Sequence, residues 1–186
     1  VDWPTARGKT AVLDMGANVE CDAQRLTEFA IMGAAYHRAL YGSERPTVGL
    51  LNVGSEDEKG HEDVKGAHRI LRETALDLDY RGFVEGTDIS KGTVDVVVTD
   101  GFTGNVALKT AEGLAGFFIN ELKASLTSSL RNKIGAAIAA PALRALRERM
   151  PPPAGGPLLG LNGIVIKSHG GADARGFAEA IGVAAD

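Results

Sequence analysis

The chain holds a single cysteine among 186 residues. That excludes an intramolecular disulfide and a cysteine-rich zinc site, and fits a reducing cytosol. Aromatic residues make up only 5% of the sequence, which speaks against a β-sandwich core built on stacked rings. No apolar run approaches the roughly 20 residues of a membrane-spanning helix, and no secretory signal opens the sequence. The phosphate signatures are missing too. Gly8-Lys9-Thr10 resembles the end of a P-loop, but Trp3 stands where its first glycine belongs, and the triplet precedes a strand pattern instead of following one. No GxGxxG follows a strand pattern. His37, His61 and His68 form no HExxH or comparable pair, so neither a bound metal nor a cofactor is expected. Cys21 has no histidine near it in sequence to make a nucleophilic pair.

What is present is glycine, 24 of them, and 44% hydrophobic residues. Short apolar runs at Thr10 to Met15, Thr47 to Val53, Val94 to Thr99 and Gly163 to Lys167 read as buried strands of a largely parallel sheet, with Asp79 to Val84 a weaker candidate at an edge. Helical patterns over Asp22 to Leu40, Glu62 to Ala75, Asn105 to Leu122 and Ala172 to Ile181 alternate with them. The expected fold is therefore one α/β domain over residues 1–186, with a mostly parallel, Rossmann-like sheet. Its opening residues lack Met and lead at once into a strand, which reads as a missing preceding segment.

Charge is unevenly spread. Lys123 to Met150 carries six cations against one carboxylate, so a chain with net charge −4 has +5 here and −9 elsewhere. An acidic body of this kind does not suit general nucleic-acid binding. Within 123–150, Leu126, Leu130, Ile134 and Ile138 recur every fourth residue, predicting a basic amphipathic helix broken near Pro141.

Four turns share one design, a strand ending in a polar residue and a glycine with another polar group close behind. They are Asp14 to Asn18, Asn52 to Ser55 with Gly54 at its centre, Asp100 to Asn105, and Lys167 to Gly170. In an open parallel sheet such strand ends face one cleft. Gly101 and Gly104 would let backbone N–H groups approach an anion at a helix start, or would simply allow strand and helix to pack. Asn105 and Lys109 share a helix face, with Asn105 nearer the cleft. Lys59, beside Gly60, is either a point charge for an anionic ligand or part of a solvated charge run with Glu56, Asp57 and Glu58. Asn18 would donate to an oxyanion or cap the next helix through an Asx turn. His169 stands where a general acid or base would be placed, or is structural.

Taken together, LDMGANVECD, VGLLNVGSEDEKGHE, DVVVTDGFTGNVALKT and GGPLLGLNGIVIKSHGGADA resemble, in order from Leu13 to Ile181, the phosphate acyltransferases of bacterial phospholipid synthesis, the PlsX family. The resemblance implies a three-layer α/β/α fold related to isocitrate and isopropylmalate dehydrogenases and to phosphate acetyltransferase, and a homodimer. It implies transfer of a fatty acyl group from acyl carrier protein to inorganic phosphate. It assigns catalysis to Lys59 and Asn105, and leaves Asn18, Gly54, Gly101, Gly104 and His169 as phosphate or oxyanion contacts. The basic segment would project and meet either the membrane surface or the partner subunit through Leu130, Arg131, Lys133, Ile134 and Ile138. That family is almost twice this length, which implies a C-terminal portion. The rival readings are a phosphate acetyltransferase-like or dehydrogenase-like enzyme on the same fold, or a non-catalytic membrane or carrier-protein docking module.

Overall fold

The computed structural model describes residues 1–149, 155–168 and 170–185. They divide into two compact units, 1–105 with 153–186, and 106–152. The first unit is built on a five-stranded sheet of β1 (Asp2–Thr5), β2 (Gly8–Leu13), β3 (Thr47–Leu51), β4 (Asp79–Val84) and β5 (Val96–Val98), in the order β1-β2-β5-β3-β4. Only β1 runs antiparallel, as a hairpin on β2; the other pairs are parallel.

The residues dictate this arrangement. β5 is Val96-Val97-Val98, three β-branched side chains with no polar alternation, and all three are at most 1% exposed. A run of that kind needs cover on both faces. Val96 and Val98 enter one core with Val48 and Leu50, under Leu26, Phe29, Ala30 and Ala34 of α1 (Ala23–Tyr41) and Ala67 and Leu71 of α2 (Glu62–Glu73). Val97 turns the other way, to Val12, Val84 and Ile89 of α3 (Gly86–Lys91). Chain direction explains the division of helices. The connections β2-α1-β3 and β3-α2-β4 step outward across the sheet, whereas β4-α3-β5 steps back, and right-handed crossovers then put α3 on the opposite face.

The strand pattern of 163–167 does not join this sheet. It contributes to β7 (Ile166–Ser168), which pairs antiparallel with β6 (Gly155–Pro157) as a separate two-stranded ribbon beside α6 (Ala174–Ala185). Three polar strand ends, not four, therefore lie along the parallel edge. The fourth turn leaves β7, and His169 falls outside the described residues.

The second unit is helical. It contains the greater part of α4 (Gly101–Thr127) and all of α5 (Leu130–Arg149). The expected break at Pro141 is not there. Pro141 lies inside α5, and the helix is instead interrupted at Ser128-Ser129. The corner is held locally: Ser129 Oγ accepts the Asn132 N–H at 3.1 Å, and Asn132 Nδ2 donates to Ser125 O at 3.1 Å and to Ser128 Oγ at 2.8 Å. The predicted sidedness is also weak over α5 as a whole, because Ala136, Ala137, Ala139, Ala140 and Ala142 occupy the turns around the proline.

Candidate functional site

The strands β2, β5 and β3 are adjacent and parallel, so the turns after Leu13, Val98 and Leu51 sit side by side at their C-terminal ends. Two strand spacings separate the outer pair, roughly 10 Å. A cavity of about 620 Å³, lined by Arg7, Lys9, Thr10, Thr47 and Asp95 among others, lies at the opposite, N-terminal ends.

The first turn is organised by Asp14, a residue 7% exposed. Its Oδ1 accepts the N–H groups of Gly16 at 2.9 Å and Ala17 at 2.8 Å. Its Oδ2 accepts Asn18 N–H at 2.6 Å and Asn18 Nδ2 at 2.8 Å. Only an ionised carboxylate accepts four such donors without presenting one of its own. Asn18 is therefore not the cap of the next helix. Its amide holds Asp14, α1 is capped by Asp22, and the Asn18 carbonyl accepts Gly101 N–H at 2.8 Å.

That last bond ties the first turn to the start of α4. Gly104 completes the junction, because a β-carbon there would collide with the Asp14 carbonyl oxygen. The amides of these two glycines are already used, Gly101 by Asn18 and Gly104 by Asp100 O at 3.0 Å. Asp100 further accepts Thr103 N–H through Oδ1 at 2.8 Å, so a carboxylate caps the helix start where an anion was expected. The glycines thus act through close approach and not as anion donors. Their effect is to bring Asn105 over the first turn. A β-carbon on Gly16 would stand 2.8 Å from Asn105 Nδ2, which donates a long bond of 3.4 Å to Met15 O. The Asn105 side chain makes no other hydrogen bond among the described residues and faces solvent.

The third strand end, after β3, carries Lys59. Asn52 Nδ2 donates to Lys59 O at 3.0 Å, while Gly60 has φ +92° and approaches the Asn52 amide so closely that no side chain would fit. Gly54 lies beneath the lysine; a β-carbon there would come 2.9 Å from Nζ. The ammonium pairs with Glu56 Oε1 at 2.8 Å and is about half exposed. The Glu56 hydrogen bond and charge, with Glu85 adding to them, hold the Lys59 pKa above its ordinary value, so it stays cationic. Lys109, in the second unit, is bound to Glu112 at 2.7 Å.

In the second unit every described residue is at least partly exposed. Leu130, Ile134 and Ile138 are 76%, 57% and 78% exposed, which leaves their apolar surface without cover inside the unit. No helix among the described residues is long and apolar enough to cross a membrane. Among the same residues no cluster of three or more His, Cys, Asp or Glu side chains is placed to hold a metal ion.

Sequence comparison extends the local resemblance to the full length of the chain. The profile of the family described as fatty acid synthesis protein matches residues 1–186. The phosphate acyltransferase of Caulobacter vibrioides is 70% identical over 185 residues, 98% of this chain and 51% of that protein. Those of Phenylobacterium zucineum and Maricaulis maris are 64% and 58% identical over 98% of the chain, and 52% and 53% of their own length. The chain spans about half the length of the curated relatives it matches. Among solved structures, the EutD phosphotransacetylase from Staphylococcus aureus aligns over 58% of this chain and 39% of its own with a TM-score of 0.46 and 21% identity, too distant to define the fold further.

Proposed function

Because the chain belongs to the fatty acid synthesis protein family, we propose that it forms part of a phosphate acyltransferase that moves a fatty acyl group from acyl carrier protein to inorganic phosphate. The observation that carries this reading at the site is the placement of Asn105, which follows β5, over the Asp14 turn, two strand spacings from the end that bears Lys59. The frame proposed for the full-length protein is the three-layer fold of the isocitrate and isopropylmalate dehydrogenase-like enzymes.

The reaction asks little covalent chemistry of the protein. A phosphate oxygen attacks the thioester carbonyl, the C–O bond forms, and the carbonyl oxygen takes up negative charge. Collapse of that intermediate breaks the C–S bond, and the carrier leaves as a thiolate that takes a proton from solvent. Phosphate is already an adequate nucleophile, so the site has to hold two reactants and stabilise an oxyanion. Lys59 supplies the fixed positive charge, exchanging Glu56 for phosphate as the doubly charged ligand arrives. Asn105 supplies an amide N–H free to turn from its long bond onto the developing oxyanion. Gly54, Gly101 and Gly104 allow the close approaches that put these groups there, and Asn18 braces the turn beneath Asn105.

Replacing Lys59 and Asn105 separately by Ala in the full-length enzyme tests the assignment. Thiol release from an acyl carrier protein thioester in the presence of phosphate is expected to fall about 10²-fold or more in each; near-normal rates in both would overturn it.

The apolar residues of α5, with Arg131 and Lys133 among them, are proposed to rest on an anionic membrane surface, where an acyl phosphate would be consumed. Ile134→Glu with Ile138→Glu should then abolish flotation with anionic vesicles. Retained flotation with loss of a homodimer would assign the face to the partner subunit.

A further inference from the structure

Lys59 closes a turn that is tethered from outside. Its N–H donates to Glu56 O at 3.1 Å, so Asp57 and Glu58 are the central residues of a four-residue turn whose two ends carry the Glu56–Lys59 ion pair. The Asp57 carboxylate reaches away from that pair to α2. Its Oδ2 accepts from Arg72 Nη1 at 3.3 Å, and its Oδ1 lies 3.5 Å from His68 Nε2. Taken singly, contacts this long on a carboxylate 66% exposed would matter little.

The support behind them is rigid. His68 is 8% exposed, stacks on Phe83 with ring centroids 4.4 Å apart, and has Nδ1 2.7 Å from the Tyr80 hydroxyl. The imidazole is thus clamped on its face by β4 and at one nitrogen by a second β4 residue, which leaves Nε2 aimed at the turn. Burial holds the Tyr80 hydroxyl un-ionised and lowers the His68 pKa, so both are neutral near pH 7. Arg72 Nη1 lies 3.4 Å from Nε2, and because a guanidinium only donates, Nε2 accepts there and the imidazole proton sits on Nδ1, donated to the Tyr80 hydroxyl oxygen, a tautomer assigned from the bonding network. The same Arg72 Nη1 donates to Asp57 Oδ2, so the clamped imidazole orients the guanidinium that holds the carboxylate.

The geometry points to Asp57 as a positioning residue for the acyl transfer. Held by Arg72, which the clamped His68 orients, it fixes the Glu56–Lys59 turn against α2 and thereby sets where the Lys59 ammonium stands over the strand ends. The inference rests on the role given to Lys59 above. A purely structural tether would act on α2 whether or not residue 59 bears an ammonium, whereas a positioning residue acts only through it.

The test is a double-mutant cycle in the full-length enzyme, reading kcat for acyl phosphate formation alongside the thermal unfolding transition. Asp57→Asn is expected to lower kcat roughly tenfold with the unfolding transition unmoved, Arg72→Gln to do the same, and Arg72→Lys to restore most of the rate. In a Lys59→Ala background, Asp57→Asn is expected to have no further effect. A full tenfold loss in that background, or near-normal kcat in both Asp57→Asn and Arg72→Gln while Lys59→Ala is impaired, would overturn the positioning role alone. Near-normal activity of Lys59→Ala would instead remove the acyl-transfer reading of Lys59 and this inference with it.

Discussion

Replacing Asp14 by Asn tests how much of the candidate site depends on one buried carboxylate. The side chains are nearly identical in shape, so the change is electronic. Asp14 accepts four donors, two on each oxygen. Asparagine retains one oxygen and turns an NH₂ toward the other pair, so two bonds are lost and replaced by opposed donors. Hydrogen bonds to a charged group are worth about 1.5–3 kcal/mol each, which sets an upper figure of about 6 kcal/mol. The Asn18 side chain is exposed and can turn its amide to water, so the loss falls toward about 2–3 kcal/mol if that bond is the one released. Urea denaturation of the full-length protein and its Asp14→Asn variant measures this directly. Because Asn105 lies on Gly16 and Met15 O, the same variant should also lose acyl-transfer activity. A stability loss below about 1 kcal/mol, smaller than one charged bond, would refute the carboxylate as organiser of the turn.

Gly104→Ala places a methyl group against the Asp14 carbonyl oxygen and 3.0 Å from Thr99 Cγ2. The gain of about 1 kcal/mol in helix propensity does not offset this overpacking of fixed backbone, and a net loss of about 2 kcal/mol is expected in denaturant titration, against a gain if the junction is loose. His68 supplies a pH dependence. Burial, the leading cause, lowers its folded pKa below the ordinary 6.5, with Asp57 acting to raise it and Arg72 to lower it. The folded state then binds fewer protons than the unfolded one, so its contribution is fully present above about pH 6.5 and is lost as pH falls from there toward the folded pKa. His68→Phe, which keeps the stack on Phe83, should flatten stability between pH 7.5 and 5; equal slopes in both proteins would count against it.

Much of the fold is legible in the residues because the signals are local. The valines of β5 and the apolar stretch of β3 announce strands covered on both faces, and Asp79 to Val84 shows its edge position through Asp79, Tyr80 and Arg81. What escaped was short or depended on partners. β1 contains Trp3-Pro4, and α3 is six residues long with glycine at its first position, held by a capping box between Glu85 and Asp88 that outweighs its composition. The strand pattern at 163–167 carries no mark of which sheet it enters. Pro141 is accommodated inside α5, and the break falls instead at Ser128-Ser129, where hydroxyls provide caps. At the candidate site, the turns and Asn105 stand out by spacing, but the part played by Asp14 does not. An acidic residue at a strand end is common, and only the count of converging N–H groups distinguishes this one.

The strand order carries a consequence for biosynthesis. β5 lies between β2 and β3, yet it is made last of the three, more than forty residues after β3. A ribosome releasing the chain from its N-terminus therefore leaves two hydrophobic strands with an open edge each until Val96 to Val98 emerge. The residues that seal that gap run directly into Asp100 and Asn105, so the last strand to enter the sheet also delivers the asparagine. A nascent chain stalled before this point would be both sticky and without its candidate site, and a chaperone that shields β2 and β3 during that interval would be guarding the assembly of that site.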